Sequence, residues 1–453
     1  MNTVLPLLFR TRVEVAAGVV ATLTLLTAAN SSAQTYASPA AGDFGGVGAF
    51  PVFVDSFTNP VYPSANGAKL TVSVYHPNAT INPVLPTIFL AHGYTSPIGS
   101  TNVYLNILNH LAGRGYNVVF SPYEGGTSPN VLLRFDELTT GFAAAVTNYG
   151  LNTAQVGFVG HSYGGGFLPA IILHLMMGKA GFYRTGHTWG GTAAFFFGMG
   201  SGYTYSGGAQ TDLSATQTIF FPTNLNVIEQ AYNDDTTIAD PRVAMDVFYN
   251  ITTPNSQKAF FTVYGDKHGT NPVVANHFLP NAYANSDVPL QTWAILCRLD
   301  ALAAWTFTGD TTARQIALGN GIPTQTYQGV WSDGVPVTPM GVTDIPLPNV
   351  FPSSYTVVNW DSAANPRRRY GLFSGPPVIT GVITAGGAAL VKVTNLLANH
   401  NYLLQQTPSL LSVNWSDAGS FIFTQSELQT KHSATLTNTI GTSPSQFWRI
   451  LAP

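Results

Sequence analysis

The stretch that most constrains this chain is Val156 to Gly166, V-G-F-V-G-H-S-Y-G-G-G. Val156, Phe158 and Val159 form a short apolar run that reads as a buried strand. A glycine cluster follows, and then F-L-P-A-I-I-L-H-L-M-M, which reads as an apolar helix. Gly160-His161-Ser162-Tyr163-Gly164 therefore fits G-x-S-x-G between strand and helix, the turn that holds a serine hydroxyl proud of a sheet. The tightness of that turn accounts for its glycines, because a side chain at either flank would collide with the neighbouring strand or helix. In a chain with 44 glycines the five-residue pattern alone is weak, and its flanks give it meaning.

The elements around it alternate. P-V-F-V-D-S-F and A-K-L-T-V-S-V-Y-H-P, between Gly42 and Pro77, predict antiparallel edge strands. Thr87 to Ala91 predicts a buried strand ending in His92-Gly93-Tyr94-Thr95. A helix over Val103 to Arg114, a strand over Tyr116 to Ser121 and a helix over Phe135 to Tyr149 follow. Beyond Ser162, strands are predicted at Asn224 to Gln230 and Ala259 to Gly265, with a closing helix over Leu290 to Trp305. This alternation predicts an α/β fold, a doubly wound and mostly parallel sheet covered on both faces. Part of the glycine- and aromatic-rich stretch Lys179 to Gly208 must supply another strand. The remainder is either an aromatic lid near the site or ordinary core and turn.

Residues 34–318 are thus expected to form one α/β domain, 319–377 a connecting segment, and 378–453 a small all-β sandwich of short strands. Trp415 and Trp448 in the tail have two readings, surface aromatics that bind a polymer or sugar, or core of the sandwich, and the module as a whole is a candidate binder of polymer or cell surface. Residues 1–33 read as a secretory signal. Arg10 and Arg12 precede the largely apolar Val15 to Ala29, and Ser31-Ser32-Ala33 offers small residues for cleavage. That apolar core is shorter than the ~20 residues a membrane helix needs, and nothing else in the chain is long and apolar enough to span a bilayer.

Composition agrees with export. Charged residues are 9% of the 453, against ~25% in an average soluble protein, and uncharged polar residues are plentiful. A net charge of −3 and no basic cluster beyond Arg367-Arg368-Arg369 exclude a nucleic-acid footprint. Cys297 is the only cysteine, so an intrachain disulfide is impossible, and its helical surroundings predict a core residue.

A serine becomes a nucleophile when a base takes its proton and an acid fixes that base. In a doubly wound sheet both partners sit on loops at the carboxyl ends of later strands. Asp235 follows the strand ending near Gln230 and is favoured over its neighbour Asp234 and over Asp240. His268 follows the strand ending at Gly265 and is the expected base. His187 and His277 do not end a strand and are read as loop or surface residues, and His161 as support for the turn. Backbone N–H groups of Tyr163 and Tyr94 are the expected donors to a developing oxyanion. No phosphate loop, metal-ligand spacing or calcium loop is present, so neither cofactor nor metal is expected.

The set A-H-G-Y-T, G-H-S-Y-G-G-G, N-D-D-T-T-I-A-D and Y-G-D-K-H-G, in that order, resembles the α/β-hydrolase superfamily. Within it, G-A-F-P-V-F-V-D-S-F and H-G-Y-T resemble the bacterial cutinase and polyester-hydrolase group, related to dienelactone hydrolases, over roughly Gly42 to Trp305. The resemblance implies a secreted carboxylic ester hydrolase with Ser162, Asp235 and His268 as triad. It implies an oxyanion hole at Tyr94 and Tyr163, and Tyr94 and Trp189 as lining for the acyl or aromatic part of a substrate, polymeric esters included. Tyr163 stands where polyester hydrolases commonly have methionine, and their C-terminal disulfide has no counterpart. Two rival readings are an amidase or peptidase with the same triad, and a non-catalytic binding or adhesion protein on this scaffold.

Overall fold

The computed structural model describes residues 35–65, 67–95, 99–125, 131–178, 186–202, 221–236, 238–251, 253–269, 271–282, 288–344, 346, 378–385, 388–394, 401–408, 416–422, 433–439 and 447–451. The expected signal at residues 1–33 and Trp415 lie outside them, as do 179–185 and 203–208 of the expected lid region.

Nine strands form the main sheet: β1 (Phe53–Thr58), β2 (Thr71–His76), β3 (Pro86–Ala91), β4 (Asn117–Phe120), β5 (Asn152–His161), β6 (Ala193–Met199), β7 (Leu225–Tyr232), β8 (Lys258–Val263) and β9 (Gly341–Thr343). Their order is β1-β2-β4-β3-β5-β6-β7-β8-β9. The six strands β4-β3-β5-β6-β7-β8 pair in parallel, while β1, β2 and β9 add antiparallel edges. The chain passes from β3 to β4 on one side and then to β5 on the other. Such a reversal opens a crevice at the carboxyl ends of the strands, where α/β sheets place their sites.

Side-chain alternation divides this sheet between two cores. Phe89, Val156, Phe158, Phe196 and Phe260 point to one face, where α2 (Val131–Tyr149), α3 (Tyr163–Met176) and α4 (Pro241–Asn250) cover them. Ile88, Leu90, Val159, Phe195, Phe197 and Phe261 point to the other, under α1 (Leu105–Gly113), α5 (Cys297–Thr308) and α6 (Thr311–Leu318). Every residue of α3 is buried, which is why its sequence is apolar all round rather than striped. The α/β architecture is the one expected. A π turn over Thr292–Leu296 precedes α5 where one continuous helix was predicted. The edge strand β9 comes from the segment expected to be connecting chain, and pairs with β8 through Phe260, Phe261 and Thr262.

The C-terminal strands β10 (Val378–Ala385), β11 (Ala388–Thr394), β12 (Asn401–Thr407), β13 (Ser416–Ile422), β14 (Ser433–Thr439) and β15 (Phe447–Leu451) make two antiparallel sheets, β10-β11-β14 and β13-β12-β15. Val391, Val393 and Leu436 of the first share one core with Tyr402 and Leu404 of the second, a small sandwich. Trp448 packs partly buried against this core, as the core reading of that residue requires. Among the described residues no helix is long and apolar enough to cross a membrane.

Phe89 is the hinge of the first core. Its ring lies 5.0 Å from that of Phe142, 5.6 Å from Phe158 and 5.1 Å from Trp189. Truncating it leaves a cavity between sheet and helix, so Phe89→Ala is expected to cost about 3–5 kcal/mol, read as a lowered urea midpoint with Trp189 fluorescence as reporter.

Candidate active site

Ser162 ends β5 and caps α3 with φ 54° and ψ −123°, a left-handed backbone that a side-chain-bearing residue adopts only under constraint. The constraint is visible. Ser162 N–H donates to Met199 O on β6 (2.9 Å), while Ser162 O accepts from Gly166 N–H (3.0 Å) and Gly202 N–H (2.9 Å). The glycines make room: a Cβ on Gly160 would sit 2.8 Å from Gly165 Cα, and one on Gly164 would run into the carbonyls of Ala91 and His92.

The imidazole at Ser162 belongs to His277. Its Nε2 lies 2.7 Å from Ser162 Oγ, and its Nδ1 lies 2.7 Å from Asp235 Oδ2. Asp235 is buried, and its carboxylate also accepts from the N–H groups of Ile238 (3.1 Å) and Ala239 (3.3 Å). A carboxylate in this setting only accepts, so Nδ1 carries the ring proton and Nε2 is left to accept from the serine hydroxyl. That is the proton arrangement of a nucleophile, base and orienting acid.

His268, the base expected from sequence, is not at this serine. It lies on the surface with Nε2 2.8 Å from Asp333 Oδ2, and its hydrogen bond holds the exposed Asp333 carboxyl below its ordinary range. The reason is the path after β8. Asp266 and Val273 form an antiparallel bridge, so the chain makes an excursion that carries His268 outward and returns before His277. Proximity to a strand end was the wrong signal, and the sequence around His277 offers none that marks it. The rival acids are otherwise engaged. Asp234 Oδ2 accepts from Ala275 N–H (2.9 Å), and Asp240 caps α4 and pairs with Arg242 (2.6 Å).

Tyr163 opens α3, so its N–H is among those a helix leaves without an intrahelical acceptor, at the positive end of the helix dipole. Its ring turns inward, buried beside Phe167, with an Arg134 N–H donating to its hydroxyl (3.4 Å); burial raises its pKa. Tyr94, at 42% exposure, stands edge-on to that ring (6.1 Å), and the Arg134 guanidinium lies over both rings. Tyr94, Val103, Ile238, His277 and Phe278 line a cavity of about 350 Å³ that opens onto Ser162. Trp189 does not line it. Its N–H bonds Leu175 O near the far end of α3, roughly 20 Å along the helix from Ser162, and its ring stacks on Phe89.

The loop carrying Tyr94 is fixed by His92. The His92 ring stacks on Tyr123 (3.8 Å), takes the Tyr123 N–H at Nε2 (3.1 Å), and faces Gly93 O through Nδ1 (2.6 Å). These partners demand a neutral ring protonated at Nδ1, and complete burial lowers its pKa to about 4. Tyr104, which the sequence did not single out, receives Gly93 N–H at its hydroxyl (2.8 Å).

No family model matches the chain, and no curated protein matches it. Among solved structures the chain is similar to esterase B from Lactobacillus rhamnosis, at 13% identity and TM-score 0.35 over 56% of this chain and 82% of that one. It is likewise similar to carboxyl esterase 2 from the mycorrhizal fungus Tuber melanosporum, at 14% identity and TM-score 0.39 over 63% of this chain and 98% of that one.

The neutral His92 has a consequence for stability. Its folded pKa of about 4 lies below the ordinary 6.5, so between these values the unfolded chain binds more protons. Stability should therefore be full above pH 6.5 and fall as pH drops toward 4, by on the order of 3 kcal/mol from this residue. His161, held well below its ordinary range by burial, acts in the same direction. Urea unfolding at pH 7 and pH 5 measures the slope, and His92→Asn is expected to flatten it.

Proposed function

We propose that this chain is a serine-dependent hydrolase of carboxylic esters. One observation carries the reading: Ser162 Oγ, on a strained turn, is 2.7 Å from a His277 imidazole whose other nitrogen is held by Asp235 at 2.7 Å. Ser162 Oγ attacks the ester carbonyl carbon as its proton passes to His277 Nε2. The carbonyl oxygen takes the negative charge and is met by the N–H groups of Tyr163 and Tyr94. When the C–O bond to the alcohol breaks, His277 returns that proton to the leaving oxygen. Water then attacks the acyl-serine, giving a proton to His277, and the carboxylic acid leaves as Ser162 regains its hydrogen.

The acyl group would lie against Tyr94, Val103, Ile238 and Phe278. A cavity of about 350 Å³ is small among ligand pockets, which run ~300–1,000 Å³, and favours short acyl chains over long ones. Tyr94, Ile238 and Phe278 are also partly exposed, so an apolar rim surrounds the serine and suits a substrate presented from a larger body, such as a polyester or a lipid. Arg10 and Arg12 before the apolar Val15 to Ala29 support export of the enzyme.

The test is hydrolysis of p-nitrophenyl acetate, butyrate and palmitate. Wild type should prefer the short esters. Ser162→Ala and His277→Ala should each lower kcat by ~10⁴-fold or more, with unchanged circular dichroism, while His268→Ala stays within a few-fold of wild type. Loss of activity in His268→Ala but not in His277→Ala would reverse the assignment of the base. Inert wild type would remove the ester reading and turn attention to amides and to polymer binding.

A further inference from the structure

His161, buried between Gly160 and Ser162, takes no part in the chemistry above, yet both of its ring nitrogens are engaged. Nδ1 is 2.7 Å from the Tyr104 hydroxyl, and Nε2 is 2.9 Å from the backbone carbonyl of His277. Tyr104, itself 1% exposed, accepts Gly93 N–H at 2.8 Å. One line of hydrogen bonds thus runs from Gly93, beside the proposed oxyanion donor Tyr94, through Tyr104 and His161 to the backbone of the proposed base.

With a neutral ring, every proton in this line has one place. Gly93 N–H can only donate, and the His277 carbonyl can only accept. Nε2 must therefore carry hydrogen. The ring is neutral, since burial and the adjacent His277 hold its pKa well down. Nδ1 is then bare and takes the Tyr104 O–H, leaving the phenol oxygen for Gly93. A protonated His161 would make the phenol oxygen accept twice and turn its O–H away from this line, whereas the neutral ring gives every group in the line a partner. Close packing enforces it: a Cβ on Gly93 would lie 3.1 Å from Ser162 Cβ, 3.2 Å from His161 Nδ1 and 3.3 Å from Tyr104 Oη.

We infer that His161 and Tyr104 are a positioning pair that sets the oxyanion loop and the His277 backbone relative to each other across Ser162. The inference rests on the hydrolase reading. The two halves it joins come from distant parts of the chain, one after β3 and one after β8, and β5 lies between them. His161 belongs to neither half and touches both, so the spacing between donor and base is fixed by a ring one residue from the nucleophile.

A displacement of about 1 Å in such a site can cost ~100-fold in rate. Tyr104→Phe, which deletes one oxygen, is expected to lower kcat roughly 10- to 100-fold, with KM for p-nitrophenyl butyrate within two-fold of wild type. His161→Phe should do the same. His161→Gln, whose amide can both donate to the His277 carbonyl and accept from Tyr104, should recover a substantial part of kcat. Because the pair acts as a unit, the double variant Tyr104→Phe/His161→Phe should lose no more than the worse single variant.

Thermal unfolding of each variant is measured alongside. Should His161→Phe fail to fold, Tyr104→Phe and His161→Gln still decide the matter. Folded Tyr104→Phe with kcat within two-fold of wild type would overturn the inference, as would single losses that multiply in the double variant, or a His161→Gln no better than His161→Phe. Inert wild type, by contrast, would count against the hydrolase reading itself.

Discussion

The backbone of Ser162 is the constraint from which the rest of the site follows. A φ of 54° on a side-chain-bearing residue costs about 1–3 kcal/mol and persists only where the surroundings leave no alternative. Here the neighbours on both sides supply that compulsion. β6 takes the Ser162 N–H through Met199 O, the start of α3 and Gly202 return N–H groups to Ser162 O, and the glycines at 160 and 164 admit backbone where side chains would stand. β5 must therefore sit at the centre of the sheet, flanked in register by β3 and β6, for the turn to exist at all. The packing of Phe158, Phe196 and Val159 on its two faces is what makes that central position rigid.

Around this turn burial shifts several titratable groups toward their uncharged forms. His92 and His161 are neutral by burial, and Glu137 is raised to about 7 by the same cause, with Glu229, behind Gly198, raised as well. Hydrogen bonds among uncharged groups have fixed directions once a backbone donor or acceptor stands at each end, and one such line meets a second that ends on a carboxylate. One ends at Gly93 and the His277 carbonyl. The other runs from Ser162 through the His277 ring to Asp235, a carboxylate at the inner end.

Legibility in the sequence followed the same division. The parallel strands were readable because burial on both faces demands continuous apolar runs, and the bounds expected for β3, β4, β7 and β8 lie within two residues of those observed. Ser162 was readable because its turn needs glycines, and Asp235 because it follows the end of β7 closely. His268 and Trp189 failed for different reasons. His268 had the right distance from a strand end but lies on an excursion closed by the Asp266–Val273 bridge. Trp189 was expected in the site on the family resemblance, and it serves the core at the other end of α3. Tyr104 gave no signal, since a buried tyrosine at a helix start looks like any other core aromatic until its hydroxyl is located.

The placement of His277, the proposed base, shows why such a residue is harder to read than the proposed nucleophile. A strained turn writes itself into local sequence, but the segment carrying His277 takes its position from contacts distant in the chain. Gln291, just before the π turn, donates its side-chain amide to the carbonyls of Leu279 (2.5 Å) and Asn281 (3.2 Å). Asn106 on α1 donates to Pro280 O (3.3 Å), and Ala282 N–H reaches Val103 O (2.7 Å). Ahead of the histidine, Asp234 N–H donates to Ala275 O (3.0 Å) and its carboxylate accepts Ala275 N–H (2.9 Å), so the segment is held by the loop after β7 as well. The His161 bond to the His277 carbonyl ties the backbone of the proposed base to the turn that carries Ser162. The loop is therefore anchored at one end by a helix start and a π turn, and at the other by the residue preceding the serine, neither of them adjacent to His277 in the sequence.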